Sequence, residues 1–225
     1  MHKMHKLKHL VRRFYLRRVL VSTLLALSFI APAHADSVEQ LQAFLATTRN
    51  ARADFAQIVR SKNGRAPQAS TGVMMFERPG KFRWEIKQPY PQLLVGDGAQ
   101  IWIYDPELRQ ATVKKADAAL GSTVLGLLAG SNKVRLDKNF DLRDLGEHDG
   151  FAWVEAIPKA EAQSEGSGFE SIRLGFSGGQ LKAMELLDHF GQTTHLLFAR
   201  LERNTRLADS LFRFTPPPGT DVLSE

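Results

Sequence analysis

Residues 73–108 read VMMFERPGKFRWEIKQPYPQLLVGDGAQIWIYDPEL, four short strand-like runs separated by turn signals. Large apolar side chains fall on both parities of these runs: Met74 with Phe76, Phe82 with Trp84, Ile101 with Ile103, Trp102 with Tyr104. A strand with one wet face should alternate apolar and polar residues with period two. The pattern therefore predicts a sheet covered by protein on both faces, or one whose second face lines an apolar cavity. It places strands over 70–78, 81–87, 92–96 and 100–104, with 111–114 returning beside the last. Pro79-Gly80 and Gly96-Asp97-Gly98 supply the hairpin turns.

The flanking sequence extends this plan. Val38, Leu41, Phe44 and Leu45 lie at helical spacing and predict a helix over 37–48, with Asp36 or Ser37 as N-cap. A strand follows over 53–59. Residues 117–129 break the β rhythm: Leu120, Val124, Leu127 and Leu128 share one helical face, and Gly130 can serve as the C′ residue. Gly121 and Gly126 weaken that helix by about 1 kcal/mol each relative to alanine. It suits a movable lid or an ordinary packed helix. Strands are then predicted over 140–145, 151–157, 169–176, 180–187 and 193–202, and a last short one holding Phe212 and Phe214. Strand spacing and turn density predict one large antiparallel sheet in a single domain, residues 36–225.

The first 35 residues stand apart. Residues 1–18 carry seven Lys/Arg and no acid, residues 19–30 are apolar, and Ala33-His34-Ala35 is a small-x-small cleavage pattern. This is the pattern of a signal peptide removed after Ala35, its apolar run too short to span a bilayer comfortably. The formal charge of +6 belongs to this leader: 23 Lys/Arg remain after it, against 24 acids. No basic stripe remains for nucleic acid. The chain has no cysteine, so it has neither disulfides nor a thiol for lipid attachment.

Candidate chemistry is sparse. His148, His189 and His195 each stand alone, without the spacing of a zinc site. No nucleophile elbow, P-loop or dinucleotide fingerprint occurs. Glu77, Glu85, Asp97 and Asp105 lie in the aromatic region, but no spacing selects a catalytic pair. The expectation is a protein that is not an enzyme, with no metal and no cofactor. What remains is the surplus of large apolar side chains on a curved sheet, which can shelter lipid tails. Each buried methylene contributes roughly 0.8 kcal/mol.

The stretch FERPGKFRWEIKQPYPQLLVGDGAQIWIYDPEL, residues 76–108, resembles the LolA family of periplasmic chaperones that move lipoproteins to the outer membrane. QATVKK at 110–115, the apolar helix to Ala129 and FRFTPPPGTDV at 212–222 extend the resemblance over the mature chain. It implies a mainly β, α+β fold: an unclosed antiparallel β-barrel with a helical lid over a hydrophobic cavity. It implies a monomer in the periplasm, loaded with acylated lipoproteins by an inner-membrane ABC transporter and unloaded to an outer-membrane lipoprotein acceptor. Arg78 matches the family arginine that hydrogen-bonds the lid and tunes release, and Phe82 a position at the cavity rim. Trp84, Leu94, Trp102, Tyr104, Leu125, Leu128, Phe212 and Phe214 become candidates to line the acyl-chain cavity, with core packing as the alternative for each. The chain departs from the family at Thr123-Val124, where Thr-Pro is common. The alternative function is a lipid- or lipoprotein-sensing module of the same fold.

Overall fold

Two runs of antiparallel strands meet at β1 and make one open sheet. The structure is a computed structural model that describes residues 36–116, 123–130, 136–159 and 168–224. In chain order the elements are α1 (Ser37–Thr47), β1 (Asn50–Arg60), β2 (Gln68–Glu77), β3 (Lys81–Gln88), β4 (Gln92–Asp97), β5 (Gln100–Asp105) and β6 (Gln110–Lys115). Then follow α2 (Val124–Ala129), α3 (Leu136–Asn139), β7 (Phe140–His148), β8 (Phe151–Pro158), β9 (Phe169–Ser177), β10 (Gln180–Asp188), β11 (Thr193–Arg203), a 3-10 turn (Asp209–Phe212) and β12 (Asp221–Ser224). The twelve strands are ordered β12-β6-β5-β4-β3-β2-β1-β11-β10-β9-β8-β7, and the sheet does not close on itself. β1 joins the two runs by pairing antiparallel with both β2 and β11. The expected mainly β, unclosed architecture with few helices is the one observed.

Alternation sorts each strand into an inner and an outer set. On the inner face one core cluster runs from Phe76, Phe82 and Ile101 through Ala53 and Phe55 to Leu174, Phe176 and Met184. α1 lies on this face against β7, β8 and β9, burying Leu41 and Phe44. α2 lies against β2 and β3. On the outer face of the first run a second cluster joins Val73 and Met75 to Phe212, with Leu207 and Leu211. Both faces of the β2–β5 region are therefore covered, which is why its apolar residues ignore the two-residue period.

The helices begin and end where local chemistry dictates. Asp36 Oδ1 accepts the Val38 N–H at 3.1 Å and caps α1. Thr123 Oγ1 accepts the Gly126 N–H at 3.1 Å and caps α2, which starts at Val124. Of the helix predicted over 117–129, residues 117–122 lie outside those described. Two other expectations are corrected. Phe212 ends a 3-10 turn and Phe214 lies in irregular chain, so neither is in a strand. The last strand is Asp221–Ser224, parallel to β6, with Val222 opposite Ala111. All four of its residues are classed as exposed and it is short, so no hydrophobic pattern announces it.

Candidate functional site

The inner face of β1–β5 is built in cross-strand rows. Ala53, Met74, Trp84, Leu94 and Ile103 form one row by register. Ala51, Phe76, Phe82, Gly96 and Ile101 form the next. Two glycines let aromatic rings lie flat on the strands. A Cβ at Gly96 would sit 2.2 Å from the Phe82 ring, and one at Gly72 would sit 2.5 Å from the Phe55 ring. Phe55 in turn stacks on Trp84 with centroids 4.3 Å apart. Trp84, Ile86, Leu94 and Ile103 pack against the core yet stay only half-buried. The wall is continuous and apolar, and the protein's own side chains do not cover it completely.

The cover is fastened at Arg78, the first residue past β2. Its Nε donates to the Leu128 carbonyl in α2 at 2.8 Å, and its Nη1 donates to the Leu45 carbonyl in α1. Two residues on, the Gly80 N–H donates to the Ala129 carbonyl at 2.7 Å. The guanidinium lies over the Phe76 ring, 5.7 Å from its centroid. Burial holds the Arg78 pKa below the ordinary guanidinium value, and the group stays charged because that value starts far above neutrality. Nη2 is buried and has no hydrogen-bond partner among the described residues. An unmet buried donor costs about 1–3 kcal/mol. The fastened arrangement thus combines charge-assisted bonds to two helices with an unsatisfied donor that offsets part of their gain.

The predicted site residues divide by parity. Phe82, Trp84, Leu94 and Leu128 belong to the inner wall or its cover, and Arg78 stands at their edge. Phe82, expected at the cavity rim, is fully buried in the inner core cluster. Trp102, Tyr104, Phe212 and Phe214 are on the other side. Ile101 and Ile103 point inward, so alternation turns Trp102 and Tyr104 outward, where both rings meet Phe214 at 5.6 and 5.1 Å. Phe212 packs between Val73 and Met75 on that outer face. Of these four, Phe212 is buried in the outer cluster while Trp102, Tyr104 and Phe214 are half-buried, and all are turned away from the inner wall. The Leu125 side chain lies outside the described residues. Phe55, Ile86 and Ile103 belong to the wall and were not among the expected site residues; sharing parity with Trp84 and its cross-strand partners was the available signal. The carbonyls that receive Arg78 carry no side-chain signature at all.

A largely antiparallel sheet that does not close, with an apolar inner wall under two helices that Arg78 bridges, defines an open sheet beneath a helical lid. The chain belongs to the LolA family: residues 46–215 match the family described as outer membrane lipoprotein carrier protein LolA. It is 53% identical over 215 residues to the outer-membrane lipoprotein carrier protein of Dechloromonas aromatica (strain RCB), covering 96% of this chain and 100% of that one. It is 47% identical over 200 residues to the protein of the same name from Nitrosospira multiformis, covering 88% and 94%. Among solved structures, an uncharacterized conserved protein of Thermus thermophilus shares the fold with a TM-score of 0.51 at 12% identity, covering 84% of this chain and 99% of that one.

Proposed function

We propose that this chain is a non-catalytic carrier that shelters the acyl chains of lipoproteins on the inner face of β1–β5 and releases them when Arg78 lets go of α2. The half-buried wall of Trp84, Ile86, Leu94 and Ile103 carries this reading, because apolar surface held next to a lid is what a tail needs and a finished core does not. The names of the relatives support lipoproteins as the cargo. The leader over 1–35 supports export, so the mature chain of 36–225 works in the periplasm, as a monomer. In that compartment an inner-membrane ABC transporter loads it and an outer-membrane lipoprotein acceptor empties it. No described helix is long and apolar enough to cross a membrane.

The three tryptophans give a direct test. Trp84 is on the inner wall, while Trp102 and Trp153 are on the outer face. In a Trp102→Phe, Trp153→Phe variant, a triacylated lipopeptide with brominated chains is expected to quench Trp84 fluorescence. Absence of quenching by a lipopeptide that demonstrably binds would overturn the assigned site; absence of any binding would overturn the carrier reading. Arg78→Leu is expected to fold, to load, and to deliver cargo to the acceptor at least about tenfold less, the equivalent of losing roughly 1.4 kcal/mol of coupling. Normal delivery by that variant would remove Arg78 from the release step.

A further inference from the structure

Antiparallel pairing from β1 to β11 sends the turns of the sheet to two opposite ends of its strands. At one end the turns 78–80, 98–99, 149–150 and 178–179 read Arg-Pro-Gly, Gly-Ala, Asp-Gly and Gly-Gly, without a large apolar side chain. At the other end lie the turns 61–67, 89–91, 106–109 and 189–192. Three of these carry one large apolar residue each, and the three are the most exposed of their kind among the described residues: Phe190 at 91%, Tyr90 at 71% and Leu108 at 71%.

The turns themselves do not need these side chains. Asp188 Oδ1 accepts the Phe190 and Gln192 N–H groups at 2.9 and 2.7 Å, and Asp105 Oδ1 accepts those of Glu107 and Leu108, both at 3.0 Å. Tyr90 stands between Pro89 and Pro91, which restrict its backbone. Single apolar residues scattered over a surface need no explanation, but these are gathered at one end of the strands. Along the sheet Tyr90 and Phe190 are four strands apart, about 19 Å, and Leu108 is two strands beyond Tyr90, about 10 Å.

The chain between the two aromatic tips is basic. From β11 across to β4, residues 192–194, 59–69 and 86–93 include Arg60, Lys62, Arg65 and Lys87, all exposed, and no acid. Nearby acids, Asp105, Glu107, Glu170 and Asp188, fall to either side of that stretch. Lys62 lies against Gly191, where a Cβ would sit 2.5 Å from its side chain, so glycine at 191 brings the ammonium next to the Phe190 turn.

We propose that this end of the strands touches down on a bilayer surface rich in anionic phospholipid. Phe190, Tyr90 and Leu108 enter the headgroup layer, and Arg60, Lys62, Arg65 and Lys87 meet lipid phosphates. Aromatic and aliphatic tips beside Lys and Arg are the composition of a membrane interface. The spacing of the tips favours lipid over a protein partner. The core of a protein interface takes one closely packed apolar patch, whereas a fluid surface admits separate side chains one at a time. Three side chains and four charges give a weak, salt-sensitive contact. The inference goes beyond the carrier reading and uses neither the lid nor the inner wall.

Vesicle flotation with the cargo-free protein tests it. Binding is expected to vesicles of phosphatidylglycerol and phosphatidylethanolamine in equal parts, and to be lost in about 1 M salt. Binding to phosphatidylcholine alone is expected to be at least about tenfold weaker. Tyr90→Ser with Phe190→Ser, and separately Lys62→Glu with Lys87→Glu, are each expected to lower binding to the anionic vesicles at least about tenfold. Both pairs lie on exposed turns and should keep the wild-type urea midpoint. Leu197→Ser, at an exposed apolar residue on the outer face, is expected to bind as wild type. Because the chain has no cysteine, a polarity-sensitive dye attached through Phe190→Cys reports on the same end without the serine variants. Its emission is expected to shift to the blue on the anionic vesicles, while the dye attached through Ala99→Cys, at the opposite end, is expected to stay unchanged. Absence of wild-type flotation in low salt would overturn the proposal, as would equal binding to phosphatidylcholine, an equal loss in Leu197→Ser, or equal responses of the two dyes. If wild type does not float but the same substitutions impair delivery to the acceptor, this end meets a protein and the proposal falls. Failure on vesicles leaves the carrier reading standing, and failure of lipopeptide binding leaves the vesicle contact standing.

Discussion

Across β2 to β5 the outer face presents Val73, Met75, Val95, Trp102 and Tyr104, and the chain from Leu207 to Phe214 lies over it. Across β7 to β11 the same outer face presents a row of Arg143, Glu155, Arg173, Glu185 and His195, aligned by register. Arg173 reaches Glu155 at 3.0 Å and Glu185 at 3.6 Å, and His195 Nδ1 lies 3.1 Å from Glu185. The next row holds Trp153, Gly175, Ala183, Leu197 and Ala56, where the indole lies over the bare backbone of Gly175 and Leu197 is 58% exposed. One half of the sheet excludes water from its outer face with a strap of chain. The other half meets water with paired charges and small residues. Only the first half needs apolar side chains on both parities, and the inner wall that binds the lid is on that half.

This contrast can be broken from either side. Phe212→Ala should have the largest effect, because Phe212 is 1% exposed between Val73 and Met75. Truncating a buried phenylalanine costs about 3–5 kcal/mol, read as a lowered urea midpoint; a loss under about 1 kcal/mol would show that the strap does not seal this face. Glu155→Gln should cost less, about 1–2 kcal/mol for one charge-assisted bond, since Arg173 keeps Glu185. A cost equal to that of Phe212→Ala would mean the two halves are sealed alike. Leu197→Lys should change stability by no more than about 0.5 kcal/mol, and a large loss would reveal a cover over the second half.

The smallest expected effect is in acid. The Ser37 hydroxyl bonded to Asp144 holds that carboxyl below the usual carboxylate range. A carboxyl depressed in the folded state contributes stability above its unfolded value of about 4 and loses it as pH falls through the depressed value. The difference in midpoint between wild type and Asp144→Asn should therefore be constant near neutrality and vanish in stronger acid. A difference that persists below that range would trace to the substitution's packing and not to the charge.

The sheet was legible because most of its strands alternate with glycine-marked turns, and the doubled parity of 73–104 ruled out a wet face while leaving open full cover or an apolar cavity behind one face. Which parity faces which cover was not legible. Trp102 and Ile103 are equally apolar, and only the register with Leu94 and Val95 separates them. Phe214 looked like strand because its neighbours alternate, yet its ring is spent on Trp102 and Tyr104 and its backbone joins no ladder. β12 was invisible because a short exposed parallel strand needs no pattern of its own. The fastening at Arg78 could be placed only through a family resemblance, since the atoms it reaches are main-chain oxygens.

The strap has a consequence for biosynthesis. Val73, Met75, Trp102 and Tyr104 are made long before Leu207, Leu211, Phe212 and Phe214, which cover them. A nascent chain that has emerged only as far as β11 can pair eleven strands and still show grease on the outer face of β2 to β5. Final folding must wait for the carboxyl-terminal residues to arrive, and until then helpers that hold apolar surface have a defined stretch to grasp.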